Sequence, residues 1–548
     1  MGIGLAAVAR RLALLVLAVG WGACGQLRAA PPNLVFLFVD TLRADHCSCY
    51  GYRRPTTPSL DSVAARGTLF EKAFAQANMS LPSYTTVFTS LYPEAHGVTG
   101  PQKTLGPGPG TLAEILAIHG YDTAGFVADG HLSPSYGLGR GFATYQSTGY
   151  AAGFMRTVPA AIDWLDRRRP GAARPQTAGP VASAPRSAQA SASASGPGPF
   201  FLLVHGYDAH GPYSPPLGFG ELYDPGYEGI VHWPGFLRTT FLEQIRNHTY
   251  DPTPLVRFQS DLFQQVGWPW KRQHLLPSFQ EGMPAAPEVD RSLSLTRSPY
   301  TFLSKPTRSG LPTRLPAARA SLTTTDELHL VAHYDGSVTY ADMWVGLFME
   351  ALERRGLTSS TYVFVAGDHG ESLGEHGLFG HGFALNECTL HVPLVVAGPG
   401  VPAGRRVSDV VELIDLAPTT LALAAIPASR QHQGRSLAQY LRPGPGPAGD
   451  PGRVAYASMG DAFSARGPRW HLMSWPGEGP LVPGKRLLYD TQTDPTEQTD
   501  LAADRPGELQ TLHGKLMDWL EQTALTGPAA PSQLEPAERS KLRMFGYW

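Results

Sequence analysis

Cysteine is scarce in this sequence: four residues in 548. A disulfide framework is therefore excluded as the organising principle of the fold. Cys24 falls in the leader region, which leaves Cys47, Cys49 and Cys388. Cys47-Ser48-Cys49 has too few partners for a zinc site, and buried thiols are the simpler reading. Charge of either sign is also in short supply. A net charge of −2 gives no electrostatic case for nucleic acid as a partner. The apolar run from Leu12 to Val19 is too short to cross a bilayer. Arg10 and Arg11 precede it and small residues come after, so residues 1–30 read as an export signal, cut near Ala23–Gly25 or Ala29–Ala30. Lipid attachment at Cys24 is the alternative, and Trp21, where an aliphatic residue is expected, argues against it.

Glycine (60) and proline (50) are abundant, which predicts many loops and some long insertions. The Ala/Ser/Pro/Gly-rich stretch 167–199 reads as a disordered surface insertion. Residues 214–322 are rich in proline and aromatics, with few clear elements, and read as an extension over a sheet edge. Asn247 and Asn78 each begin a glycosylation sequon of the kind that arises by chance.

Between these stretches the pattern is regular. "NLVFLFV" (33–39), "FFLLVHG" (200–206), "TYVFVAG" (361–367) and "VPLVVAG" (392–398) are continuous apolar runs, as expected of strands buried on both faces. Amphipathic helical patterns such as "GTLAEILAIHG" lie between them. The alternation predicts an α/β fold: a doubly wound, mostly parallel sheet with helices on both faces. The strands at about 33–39, 200–205, 361–366 and 392–397 are expected side by side. Near the C-terminus a strand, a turn, a loop and a helix with Leu509, Leu512, Leu516 and Leu520 on one face predict a small α+β subdomain. The expected division is 1–30, 31–425 and 426–548.

Chemistry gathers at strand ends. Asp40 comes directly after the first run, and Asp368 and His369 directly after the third. Ligands collect outside the carboxyl ends of parallel strands, and two carboxylates with an imidazole suit a divalent cation. Ser80, in "NMSLPSY", has two readings. Pro82 suits the first position of a helix, so Ser80 is either its cap or a hydroxyl aimed at an anion held at the helix N-terminus. A metal beside it would make that hydroxyl a usable nucleophile. His205, Asp208 and His210 lie at and just after a strand, and His376 and His381 lie downstream of Asp368. Such imidazoles bind anionic esters or protonate leaving groups.

Five motifs, "NLVFLFVDTLRADHCSCYGY", "SLPSYTTVFTSLYPEAHGV", "HGYDAHGPY", "GDHGESLGEHGLFGHG" and "LYDTQTDPTEQTDL", occur in an order that resembles the sulfatase family of the alkaline phosphatase superfamily. The segment "VVELIDLAPTTLALAAIPASRQHQGRSL" is similar to that family too. The likeness spares only the leader, 167–199 and much of 214–322. It implies an alkaline-phosphatase-like α/β domain, one divalent metal, and in-line attack on a sulfate or phosphate ester. Asp40, Asp368 and His369 match metal ligands, a shell that Ser80 is expected to complete. Ser80 matches the nucleophile, and His210 and His381 match residues that contact the anion or leaving group. Family members mature a Cys or Ser to formylglycine within Cys/Ser-x-Pro-x-Arg, and here Tyr84 stands in the arginine position. An unmodified Ser80 is therefore expected. Thr41 replaces a second aspartate, which removes one charged ligand; His369 replaces an asparagine and His381 a lysine, and Asp-His followed by a later His resembles the phosphodiesterase and phosphoethanolamine-transferase branches. The family ion is Ca²⁺, whereas an Asp/Asp/His set suits Mn²⁺ or Zn²⁺ better. The expected partner is a sulfated or phosphorylated small molecule or glycan. Two rivals stand beside the hydrolase: a transferase of a phosphoryl-alcohol group, and a non-catalytic family member that binds an anionic glycan.

Overall fold

The structure, a computed structural model, describes residues 30–128, 130–148, 153–168, 198–211, 213, 215, 219–220, 222–227, 324–475 and 484–523. The predicted leader, the sequon at Asn247 and most of both predicted insertions lie outside the described residues.

The strands in chain order are β1 (Asn33–Val39), β2 (Thr68–Phe74), β3 (Asp122–Val127), β4 (Thr144–Ser147), β5 (Phe200–Gly206), β6 (Thr361–Gly367), β7 (Ser372–Leu373), β8 (Phe379–Gly380), β9 (His391–Ala397), β10 (Arg405–Glu412) and, in the C-terminal part, β11 (Ala455–Met459), β12 (Ala462–Arg466), β13 (Trp470–Ser474) and β14 (Arg486–Asp490). Eight form one sheet in the order β10-β2-β9-β6-β1-β5-β3-β4. The four apolar runs are neighbours, as expected: β5, β1, β6 and β9 lie side by side. One direction differs from a fully parallel arrangement. β9 runs antiparallel to both β6 and β2; the chain between β6 and β9 is taken up by the β7–β8 hairpin, loops and a single helical turn, Glu387–Leu390, so no crossover helix returns it to the start of the sheet.

β1 shows why the sheet is wound on both sides. Leu34, Phe36 and Phe38 belong to one apolar cluster, and Val35, Leu37 and Val39 to another. Alternate side chains of a strand point to opposite faces, so each cluster is one face of the sheet. Helices Ser80–Thr89, Leu112–Ile118 and Leu416–Leu423 cover the first. Helices Pro58–Ala65, Gly153–Arg167 and Thr324–Arg354 cover the second.

The C-terminal strands form an antiparallel sheet, β11-β12-β13-β14. Helix Pro506–Thr523 packs on it through Leu512, Leu516 and Trp519, with Leu509 and Leu520 partly buried. Among the described residues, no helix is long and apolar enough to cross a membrane. The sequon residue Asn78 is fully buried, its amide donating to the Ala384 carbonyl at 2.6 Å, which leaves no room for a glycan.

Candidate active site

The centre is built by strand register. Val39 of β1 pairs with Gly206 of β5 on one side and with Gly367 of β6 on the other. The next residues along β1 and β6, Asp40 and Asp368, are therefore neighbours at one sheet edge. Close approach needs glycine at 367, because a Cβ there would lie 2.4 Å from the Leu42 carbonyl oxygen. Thr41 turns the chain with φ of 57° and donates its N–H to Asp368 Oδ1 at 3.0 Å.

Ser80 completes the group from another element. Helix Ser80–Thr89 begins with Ser80 itself; Met79 occupies the cap position, without a side-chain cap. Pro82 is thus the third helical residue, not the first, and the cap reading of Ser80 fails. Its hydroxyl turns away from the helix backbone, 3.3 Å from Asp40 Oδ2 and 3.3 Å from His369 Nε2. Asp40, Asp368 and His369 are all buried, with ligand atoms within 4.8 Å of one another.

The donor set fits a cation. His369 Nδ1 donates to the Gly370 carbonyl at 2.9 Å, which fixes the tautomer and leaves Nε2 to face Ser80 and the carboxylates. Asp40 Oδ1 and Asp368 Oδ2 are buried and make no hydrogen bond to any described residue. Buried carboxylate oxygens are costly unless paired or metal-bound. Burial opposes ionisation of Asp40, yet the hydrogen bond from His205 (3.2 Å) and the nearby His210 and His369 hold its carboxyl well below the usual range. Burial and the charge of Asp40 push Asp368 up to about 6. Burial works against protonation of His369, but Asp368 and Asp40 outweigh it and raise its pKa.

His210 and His381 border the same centre. The His381 ring lies 4.5 Å from the His369 ring and 4.9 Å from that of His210. Burial lowers His210 to about 4, with Asp40 opposing, and lowers His381 to about 3, helped by His369. Tyr207 stacks on His210 and its hydroxyl lies 2.8 Å from Nε2. His376 and Asp208 serve elsewhere. His376 is exposed, with φ of 54°, and meets the Asn386 amide. Asp208 accepts from the Phe154 N–H.

Sequence reasoning passed over two residues here. His131 is buried within electrostatic reach of Asp40, His381, His210 and His369. It lies just beyond β3, so the strand-end rule applied to every strand would have marked it. Glu371 is 1% exposed and its carboxylate meets His381. Nothing in its spacing sets it apart from the neighbouring Glu375.

The sulfatase family profile matches residues 32–426. The chain belongs to the sulfatase family. It is similar to arylsulfatase K of Gallus gallus, with 31% identity over 191 residues, covering 33% of this chain and 35% of that protein. The match thus spans about a third of that relative's length. Its fold is similar to that of a protein solved in complex with its substrate D-glucosamine-2-N,6-O-disulfate (TM-score 0.63, 19% identity, 92% of this chain and 100% of that one). It is also similar in fold to phosphonate monoester hydrolase of Agrobacterium radiobacter (TM-score 0.57, 21% identity, 90% and 96%).

In this sulfatase-family chain the residue at the family's arginine position is folded into the core. Tyr84 is fully buried, its ring 5.3 Å from Phe38 and 5.4 Å from His205, and its hydroxyl has no hydrogen-bond partner among the described residues. It brings no positive charge to the centre.

Proposed function

We propose that the chain is a metal-dependent ester hydrolase in which Ser80 attacks the phosphorus or sulfur of an anionic ester. The observation that carries this reading is the convergence of the Ser80 hydroxyl with Asp40, Asp368 and His369, two carboxylate oxygens of which are buried without a hydrogen-bond partner among the described residues. Asp40, Asp368 and His369, with Ser80, would hold the cation, and one imidazole nitrogen among oxygens favours Mn²⁺ or Zn²⁺. When bound, the ion supplies positive charge that makes the serine hydroxyl easier to ionise and draws the anionic ester oxygens.

The chain's own groups do the rest. Ser80 sits in the first turn of a ten-residue helix, whose N-terminal N–H groups favour an anion. His210 and His381 hydrogen-bond the anion and the departing oxygen. Water then hydrolyses the seryl ester and restores Ser80. Phosphate diesters and monoesters are favoured over aryl sulfates, because Tyr84 offers no cation to steady an aldehyde hydrate and an unmodified serine suits phosphoryl transfer. A phosphorylated or sulfated glycan or small molecule is the proposed substrate class.

The test is turnover of bis(4-nitrophenyl) phosphate, 4-nitrophenyl phosphate and 4-nitrophenyl sulfate by the purified chain, with metal analysis. Expected are near-stoichiometric Mn²⁺ or Zn²⁺, loss of turnover with EDTA, a phosphate ester as the best substrate, and no turnover by a folded Ser80→Ala variant. A clear preference for the sulfate, or full activity in Ser80→Ala, overturns the reading. A chain that turns over nothing and binds sulfated glycan equally well with Ser80→Ala is the binding module instead.

A further inference from the structure

We propose that Phe383 is a specificity-determining residue, an aromatic platform that receives a ring carried by the departing alcohol. The inference rests on the Ser80 hydrolase reading and adds to it the shape of the group that leaves.

Ile118, Phe383 and Met517 are the large apolar side chains that stay most exposed among the described residues. Single exposed apolar residues are ordinary on a protein surface. Ile118 and Met517 stand on helices Leu112–Ile118 and Pro506–Thr523. Phe383 differs in its place: it follows His381 by two residues, on the loop that leaves β8. It is 46% exposed and takes no part in the apolar clusters on the two faces of the large sheet. The core therefore supplies no reason for an aromatic ring at this position.

The loop holds that ring in place. Before it, β8 pairs with β7, with Ser372 opposite Gly380. After it, the Ala384 carbonyl accepts from the Asn78 amide at 2.6 Å and from the Thr389 hydroxyl at 3.0 Å, and Leu385 is buried. Gly380 and Gly382 turn the chain with φ of 91° and 81°. A Cβ on Gly382 would lie 3.6 Å from the Met79 thioether, so the loop is braced on the residue that precedes Ser80. A Cβ on Gly380 would lie 3.5 Å from Phe383 Cε2 and 3.8 Å from Glu371 Oε1. That oxygen is 3.0 Å from His381 Nδ1. The edge of the Phe383 ring thus stands just beyond the Glu371–His381 pair.

In the proposed reaction His381 hydrogen-bonds the departing oxygen, so the alcohol carried by that oxygen extends toward the His381 loop and Phe383. A ring there buries its own apolar face and the exposed face of Phe383 together, and an aromatic ring also stacks. A one-carbon alcohol leaves Phe383 in water. The cation and the imidazoles meet the anionic oxygens, which are common to every ester of the class. Phe383 therefore discriminates by the alcohol alone.

The test uses the full chain loaded with Mn²⁺ or Zn²⁺ and three phosphonates, which carry the anion without an ester bond to cleave: methylphosphonate, cyclohexylphosphonate and phenylphosphonate. In calorimetric titrations a ring-bearing phosphonate should bind the wild type about tenfold or more tighter than methylphosphonate. Phe383→Ala should lose that advantage while binding metal and methylphosphonate as the wild type does, and Phe383→Trp should keep it. Phenyl tighter than cyclohexyl supports an aryl alcohol; equal binding of the two supports a saturated ring such as that of a sugar. Binding of none, no preference for a ring, or a preference that persists in Phe383→Ala overturns the proposal. Loss of metal or methylphosphonate binding in Phe383→Ala marks a merely structural part and overturns it too. On 4-nitrophenyl phosphate, Phe383→Ala should raise KM about tenfold with kcat within about twofold, the mark of lost uniform binding. Absence of Ser80-dependent turnover in the wild type sinks the hydrolase reading and leaves a Phe383-dependent ring preference standing as ligand recognition, whereas Ser80-dependent turnover with a ring preference indifferent to Phe383 sinks only the platform.

Discussion

Tyr84 is one ring in the core, yet the chemistry proposed for Ser80 turns on it. With the aromatic side chain packed on Phe38 and His205, no guanidinium stands four residues after Ser80. We expect intact and peptide mass spectrometry of the purified chain to show an unmodified serine at 80; a loss of two hydrogens there would return the protein to the formylglycine mechanism. His96 makes a second prediction. The Val98 N–H donates to its Nδ1 at 3.0 Å, so that nitrogen must stay unprotonated, and Nε2–H faces Thr86 Oγ1 at 3.0 Å. Burial accordingly pushes its pKa down to about 3. The unfolded state, with a pKa near 6.5, binds a proton that the folded state refuses between about pH 3 and 6.5. Stability is therefore lost as pH falls below about 6.5. Between pH 7.5 and 5.5 this one residue contributes about 1.4 kcal/mol of that loss. Urea titrations at the two pH values should show a gap smaller by about this amount in His96→Asn, which keeps an acceptor for Val98.

Helix Pro58–Ala65 illustrates how elements here borrow from each other. Thr57 at its cap position makes no side-chain cap. The free N–H groups of Ser59 and Leu60 donate instead to Asp342 Oδ2 and Oδ1, at 2.7 and 2.8 Å, from the middle of helix Thr324–Arg354. A cap supplied by another helix fixes the packing of the two as well as ending one of them. Asp342 is buried, so removing it leaves two donors without partner or water. Asp342→Ala should cost about 1–3 kcal/mol in urea denaturation. A loss below about 0.5 kcal/mol, the ordinary range for a surface change, would show that the cap contributes nothing.

At the scale of the whole molecule, two buried ionic groups tie the large sheet to the C-terminal one. Arg453, just before β11, meets Glu412 at the end of β10 at 3.3 Å and Asp415 in the turn after it at 2.5 Å. Arg466 of β12 grips Glu387, and Glu497, with φ of 58°, reaches the Asn386 amide and the Glu387 N–H. Glu387, His471 and Glu497 cluster like metal ligands, but each is already engaged: His471 by Ser464 and Glu497, Glu387 by Arg466. They form a strut between the sheets. Arg453→Met should destabilise the chain by about 3–5 kcal/mol, because two buried carboxylates lose their counter-charge. Adding Glu412→Gln should recover part of that in the same denaturation assay. If Arg453→Met unfolds at the wild-type urea midpoint, the pair does not link the sheets energetically.

Apolar runs and strand-end residues were enough to read the α/β sheet and the members of its centre. A strand buried on both faces has to be apolar throughout, and register then places the residue just past its end. Asp40 and Asp368 were legible for that reason. Local spacing could not disclose the reversed β9, whose direction depends on the path of the chain around β7 and β8. Nor could it show that Ser80 turns from its helix, since a serine before a helix looks the same as cap or nucleophile. Glu371 became visible only in three dimensions, because a buried side chain takes its meaning from groups brought to it from other strands. Apolar runs alone tell which residues stand at strand ends; which of those residues face one another is set by the folded sheet, because contacts between groups far apart in the chain exist only once it has formed.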